Sequence, residues 1–300
     1  MADRAFIVTG PTAGIGYRTA LEVARHGEVV LVGRNAAKLD DVRAAVGREG
    51  GTAVPVVCDL ADPTSVQRAA AEILALDLPI AGLLNNAGVS PTRATTNRLG
   101  WDTTFATNHL GPFALTEALA PHLPDGANVV FICSAVEDPG RRFATMAGFR
   151  GGRYISAEAS ARGEWEPGGS ALPGGDAYAT SKQCNLATVL AFARETPRLR
   201  FNGIEPGFCP GSDLGRDAPA VLRAVMKYVV SPIAPLLPYC SNPRTAARMI
   251  TAVLTDESSG TGMYYDENGR PMTGSALVRD PDFDARVVAE TRALLAAVAS

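Results

Sequence analysis

Thr9-Gly10-Pro11-Thr12-Ala13-Gly14-Ile15-Gly16 follows the apolar run Ala5-Phe6-Ile7-Val8-Thr9, and the segment after it has the spacing of a helix. A glycine-rich turn between a buried strand and a helix lets the backbone approach a pyrophosphate, whose charge then meets the helix N-terminal amides and dipole. A plain strand-to-helix turn is the competing reading of these glycines. The spacing G-x-x-x-G-x-G differs from the G-x-G-x-x-G of the general dinucleotide fingerprint.

Outward from this loop, short Val- and Ile-rich runs alternate with longer Ala, Leu and Arg segments, the pattern of βαβ units around a buried parallel sheet. Strands are expected at 5 to 9, 28 to 32, 53 to 57, 80 to 84, 127 to 132, 199 to 204 and 261 to 265. Helices are expected at 15 to 26, 35 to 48, 63 to 76, 98 to 121, 176 to 195, 243 to 255 and 281 to 298. Asp62-Pro63 and Asn242-Pro243 read as helix starts, a cap followed by a first-turn proline.

Two stretches break the rhythm. Residues 135 to 175 are rich in Gly, Pro, Ser, Arg and Glu without sustained period, and 206 to 242 set six prolines around the short apolar segment VLRAVMKYVV, a candidate helix over a cleft. Neither marks a domain boundary, so the expectation is one α/β domain over 1 to 300, a doubly wound parallel sheet of about seven strands with two substrate-side insertions.

The second strand ends in Gly33-Arg34-Asn35, where an NAD site commonly carries an acid for the ribose hydroxyls. Arg34 instead offers a forked cation suited to a 2′-phosphate, which favours NADP(H) over NAD(H). A solvated arginine at the next helix start is the alternative. Ala13 adds no second basic group to the loop.

Tyr178-Ala179-Thr180-Ser181-Lys182 carries the strongest chemical signal, because Tyr and Lys four apart on a helix share a face. A free phenol titrates near ~10, and lowering that by about 3 units takes roughly 4 kcal/mol of preferential phenolate stabilisation. Lys182 and an oxidised nicotinamide are the expected sources of that positive charge.

These motifs, with Asn85-Asn86-Ala87-Gly88, Asn108-His109-Leu110-Gly111, Ser134 and Pro206-Gly207 in order, resemble the short-chain dehydrogenase/reductase family over residues 5 to 210. Gly33-Arg34-Asn35, NHLG, YATSKQCN and Gly262-Met263-Tyr264-Tyr265 are similar to its retinol-dehydrogenase-like and light-dependent protochlorophyllide-reductase-like branch. The resemblance implies a Rossmann-type fold with Asn108, Ser134, Tyr178 and Lys182 as catalytic residues. It implies cofactor contacts from Gly10, Thr12, Ala13, Gly14, Ile15, Gly16, Arg34, Asp59, Leu60, Asn86, Ala87, Gly88, Tyr178, Lys182, Pro206 and Gly207.

In that scheme hydride passes between nicotinamide and a carbonyl carbon while Tyr178 gives or takes the oxygen-bound proton. Lys182 also positions the nicotinamide ribose, Ser134 bonds the substrate oxygen, and Asn108 holds a relay water. Each has a plainer reading: a turn serine at Ser134, a helix kink at Asn108, an Asx turn at Asp59, a chain reversal at Pro206-Gly207. His109 reads as structural.

The departure from the family is the 44 positions separating Ser134 from Tyr178. The added segment holds Arg141, Arg142, Phe143, Met146, Phe149, Arg150, Arg153, Tyr154 and Trp165, a mixture fit for a large, partly aromatic or anionic substrate. It is expected as a lid or wall over the pocket, or else as a disordered surface insertion.

Composition bounds what remains. A net charge of -3 gives no positive field for phosphate backbones or anionic lipid, no apolar stretch reaches 18 residues, and the first residues lack a secretory pattern. Five cysteines without a CxxC pair argue against a disulfide framework, and three scattered histidines argue against a metal site.

The expectation is therefore a cytoplasmic monomer or homodimer acting on a hydrophobic small molecule, polycyclic ones included. Non-redox chemistry on the same scaffold (dehydration, epimerisation or cyclisation), an NADP(H)-sensing binding protein and light-driven reduction stay as alternatives.

Overall fold

A computed structural model describes residues 4–209 and 239–299. Seven strands form one parallel sheet: β1 (Ala5–Thr9), β2 (Glu28–Gly33), β3 (Ala53–Val57), β4 (Ile80–Asn85), β5 (Asn128–Ile132), β6 (Arg200–Ile204) and β7 (Met263–Tyr265). Their spatial order is β3-β2-β1-β4-β5-β6-β7. The order reverses between β1 and β4, and in such sheets the crevice beyond the strands' carboxyl ends at that point is where ligands bind. β1 keeps Ile7 opposite Val30 of β2 and opposite Leu83 of β4.

Helices cover both faces. α1 (Gly14–Val23), α2 (Ala36–Arg48) and α9 (Pro243–Thr255) bury residues such as Leu39, Val46 and Ile250 with Phe6 and Leu31 in one core layer. On the other face α3 (Pro63–Ala75), α5 (Gly111–Leu119), α8 (Gly175–Glu195) and α10 (Pro281–Ala299) enclose Ile7, Phe113, Phe131 and Phe201. With both faces covered, strands β1, β4 and β5 read as continuous apolar runs rather than alternating ones.

The caps act as the sequence anticipates. Asp62 accepts from the Thr64 amide at 3.0 Å, and Asn242 accepts from Arg244 and Thr245 at 3.0 and 2.9 Å. The helix expected over 98 to 121 is shorter and interrupted. Residues 97 to 101 form a loop held by Asn97, whose side chain accepts from the Leu99 and Trp101 amides and donates to the Ala61 carbonyl. The helical run starts only after Asp102, as α4 (Thr103–Phe105), then a π turn (Ala106–Leu110), then α5.

The 135 to 175 segment is ordered, with a 3-10 turn (Ala135–Glu137), α6 (Arg142–Met146) and α7 (Ala157–Ala161). No periodicity announces it, because each helix is a single turn or so and is held by outside contacts. The VLRAVMKYVV segment and the prolines from Pro210 to Pro238 lie outside the described residues.

Candidate active site

The glycine loop closes the switch-point crevice. Gly14 has a φ of +55°, and a Cβ there would meet nothing within 4 Å, whereas a Cβ on Gly16 would fall 2.3 Å from the Gly10 carbonyl oxygen. One glycine thus keeps the loop open on its outer side and the other lets it fold tightly. Asn86 braces it from β4, donating to the carbonyls of Thr9 (2.8 Å) and Gly10 (3.2 Å), while Thr9 Oγ1 accepts from the Asn86 and Ala87 amides.

Ala13 caps α1 with no side-chain hydrogen bond, so the first-turn amides have no side-chain acceptor from the cap. At the end of β2 the exposed Arg34 has no hydrogen-bond or ion-pair partner among the described residues. Asp59 spends one carboxylate oxygen on the Ala61 amide (3.0 Å), the Asx turn its sequence allows, and Leu60 beside it is buried. An open glycine face, uncapped amides and an unpartnered guanidinium at the end of the sheet fit a dinucleotide.

Tyr178 and Lys182 stand on α8 at the carboxyl end of β5. The Lys182 ammonium is buried, lies 5.6 Å from the Tyr178 ring centroid and donates to the Ile132 carbonyl at 2.7 Å. Burial lowers its pKa to about 8, partly offset by Cys133 and Glu205, so it remains largely charged at neutral pH. Ser134, half-buried just after β5, lies near enough to the Tyr178 phenol to lower its pKa.

The phenol itself is pushed above its ordinary value, first by desolvation and then by the Glu205 charge, with Ser134 opposing. The depression expected from Lys182 is therefore not realised among the protein's own groups: the ammonium is turned to a backbone carbonyl, and a carboxylate shares the site. Tyr178 is a protonated donor at neutral pH.

Glu205, which the sequence reading passes over, is central to this cluster. One of its oxygens accepts from the Ala135 amide and the other from the Gly207 amide at 3.0 Å. Burial raises its pKa to about 7. The signal available in the sequence was a carboxylate directly after the buried strand FNGI and before Pro206-Gly207, at the end of the sheet that faces the crevice.

Asn108 lies in the π turn with its side chain fully engaged. Its Oδ1 accepts from the Val89 amide (2.8 Å), and its Nδ2 donates to the Val89 carbonyl (2.9 Å) and to Ser181 Oγ (3.2 Å). Its backbone carbonyl accepts from Asn185 at 2.9 Å. Gly88 packs beside it, a Cβ there falling 3.5 Å from Asn108 Oδ1.

His109 is fully buried, bonded to Asn185 and Thr291 at 3.1 Å each, and desolvation lowers its pKa to about 4. It is a neutral tie between α8 and α10. Among the described residues no His, Cys, Asp and Glu are grouped as metal ligands, and the five cysteines are free.

The long segment before α8 divides in two. Phe149 lies 6.3 Å ring to ring from Tyr178, and Phe143 lies 6.1 Å from Tyr239. Met146, 84% exposed, and Phe208, 48% exposed, extend this apolar rim. Tyr154 and Trp165, read from sequence among possible substrate contacts, serve packing instead. Tyr154 is buried against Phe283 and donates to Glu290 at 2.6 Å, and Trp165 packs edge-on to Phe105.

The pattern of the short chain dehydrogenase family matches residues 4–146. Mouse polyprenol dehydrogenase is 31% identical over 304 aligned positions, covering 96% of this chain and 82% of that protein. The human polyprenol dehydrogenase is 36% identical over 142 residues, a match spanning 44% of this chain and 43% of that protein, less than half its length.

Among solved structures, a protein of Mycobacterium Paratuberculosis superposes with a TM-score of 0.72 at 24% identity, covering 98% of this chain and 94% of the other. A short chain dehydrogenase from Burkholderia cenocepacia in complex with NADP gives 0.64 at 22% identity, covering 89% of this chain and 97% of that one. These two establish the fold. With the near full-length match to the mouse relative, the chain belongs to the short-chain dehydrogenase/reductase family of oxidoreductases.

Proposed function

We propose that this chain is an NADP(H)-dependent carbonyl reductase, a single domain that acts on a hydrophobic small molecule with Asn108, Ser134, Tyr178 and Lys182 as its catalytic residues. The observation that carries the proposal is the buried Lys182 ammonium 5.6 Å from the Tyr178 ring, tied to the Ile132 carbonyl at the carboxyl end of β5, with Ser134 two residues further along the chain from that carbonyl. When bound, the nicotinamide supplies or receives the hydride. The chain's own work is to hold the dinucleotide on Gly10, Thr12, Ala13, Gly14, Ile15 and Gly16, to bind the 2′-phosphate at Arg34, and to line the remainder with Asp59, Leu60, Asn86, Ala87, Gly88, Pro206 and Gly207.

Proton delivery falls to Tyr178, whose raised pKa keeps the proton in place until an alkoxide needs it. Ser134 steadies the same oxygen. The apolar rim of Phe149, Phe143, Met146 and Phe208 supports a greasy substrate, in keeping with the polyprenol after which the polyprenol dehydrogenases are named. The NADP complex among the structural neighbours and the unpartnered Arg34 favour NADP(H) over NAD(H).

Loss of NADPH absorbance with a panel of hydrophobic ketones and aldehydes, citral and trans-1-decalone among them, tests the proposal. Tyr178→Phe removes the proton donor while sparing the ring, and turnover should drop about 100-fold or more with NADPH binding retained. Near-normal turnover in that variant assigns the proton to another group.

A further inference from the structure

Phe149 lies 6.3 Å ring to ring from Tyr178 with 47° between the planes, and both residues are half-buried, so each keeps part of its surface open. Phe143, on the same segment, turns to Tyr239 instead. A carbonyl oxygen within hydrogen-bond reach of the phenol, about 3 Å, brings its flanking groups beside the Phe149 ring. We propose, resting on the reductase reading above, that Phe149 is a specificity-determining wall. It admits carbonyls with a slim, flat apolar flank, such as linear conjugated aldehydes, and disfavours ketones set in fused saturated rings.

A wall selects only if it does not yield, and the backbone on both sides of Phe149 is tied down. Its own amide donates to the Ala144 carbonyl at 3.0 Å, and its carbonyl accepts from Arg150 Nη1 at 2.7 Å. Before it, the Gly148 carbonyl accepts from Ser170 Oγ at 2.8 Å and from the Ala171 amide at 3.1 Å. After it, the Gly152 amide donates to the Glu137 carbonyl at 2.9 Å and the Arg153 amide to Thr180 Oγ1 at 2.8 Å.

Two glycines let the chain come this close. Gly151 has a φ of +83°, and a Cβ there would fall 2.7 Å from Pro139 Cδ; a Cβ on Gly152 would fall 2.4 Å from Gln183 Cδ. Thr180 and Gln183 belong to α8, the helix of Tyr178 and Lys182. The wall and the proton donor therefore share one frame, and their separation is set by that helix.

Discrimination follows from volume. A methylene gained or lost in a rigid apolar pocket changes kcat/KM by roughly 10- to 200-fold. Citral flanks its carbonyl with a hydrogen and a planar alkene carbon, whereas trans-1-decalone flanks it with two tetrahedral ring carbons, one of them a ring fusion. The flat flank can lie on the Phe149 ring, and the thicker one overlaps it.

The test compares kcat/KM for citral and trans-1-decalone with NADPH in the wild type and in Phe149→Ala. The decalone value should rise about threefold or more while the citral value falls about threefold, a change of about tenfold in their ratio, with NADPH binding retained as the check on folding. Phe149→Trp adds volume at the same place and should move the ratio the other way by about threefold; it decides the matter if Phe149→Ala loses NADPH binding. A merely structural ring would lower both substrates together. Equal losses for the two, or a decalone value that does not rise in folded Phe149→Ala, overturn the inference and leave the reductase reading standing. Absence of NADPH consumption by the wild type across the substrate panel falls on the reductase reading itself and removes this inference with it.

Discussion

Arg34 presents an unpartnered guanidinium at the end of β2, in the place where an acid would repel a 2′-phosphate. Arg34→Asp replaces attraction with like-charge repulsion. NADPH affinity should weaken on the order of 10- to 100-fold while NADH affinity changes by less than about threefold. Titration of the intrinsic fluorescence with each cofactor measures this, and equal losses for both would remove the 2′-phosphate assignment. The placement of Arg34, Tyr178 and Lys182 was legible because it depends only on a position relative to a strand end or along a helix. Glu205 was not. Its placement needs the Ala135 amide and the Gly207 amide at once, and the first of these comes from 70 positions earlier in the chain. The sign of the Tyr178 shift was hidden for the same reason: the sequence places Lys182 one turn away but not the Ile132 carbonyl that accepts its hydrogen bond.

Among the elements, the seven strands and the long helices could be read because buried parallel strands and amphipathic helices write their periods into ten or so residues. The single-turn helices α6 and α7 could not, since contacts from outside hold them. Arg153 donates its backbone amide to Thr180, the Asp102 amide donates to the Ala161 carbonyl at 2.6 Å, and Glu290 of α10 accepts from both the Tyr154 hydroxyl and the Ala157 amide. The segment is thus half rim and half core, and cutting out 140 to 170 would strip buried surface along with any substrate wall. Tyr154→Phe isolates the core half. It leaves Glu290 with one amide and Arg286 at 3.7 Å, and should cost about 1 to 2 kcal/mol in denaturant unfolding. No loss of stability would mean that the Tyr154 bond does not anchor the segment.

For the whole molecule, the buried ionisable groups tilt the pH dependence of stability. Glu137, fully buried in the turn after β5, holds the Ser275 amide at 2.8 Å and is raised from 4.5 to about 7 by desolvation. Glu205 moves over the same interval, and Asp284 rises from 3.8 to about 6. Each retains a proton in the fold that the unfolded chain has already lost, so its contribution is complete at low pH and disappears as pH climbs through the folded value. His109 opposes this between about 4 and 6.5, since the unfolded imidazole binds a proton the buried one refuses. Lys182 acts only between about 8 and 10.5, where stability recovers with rising pH. Carboxyls outnumber the imidazole in the middle window, so thermal unfolding should come at a higher Tm near about pH 5.5 than near about pH 7.5. Glu137→Gln keeps an acceptor for Ser275 but has no charge to bury. The gain in its Tm over wild type should be about 3 to 5 °C larger near about pH 7.5 than near about pH 5.5. A wild-type Tm that is higher at the neutral end, or a Glu137→Gln shift equal at both, would show that Glu137 is already ionised in the fold and that water or a counter-charge reaches its second oxygen.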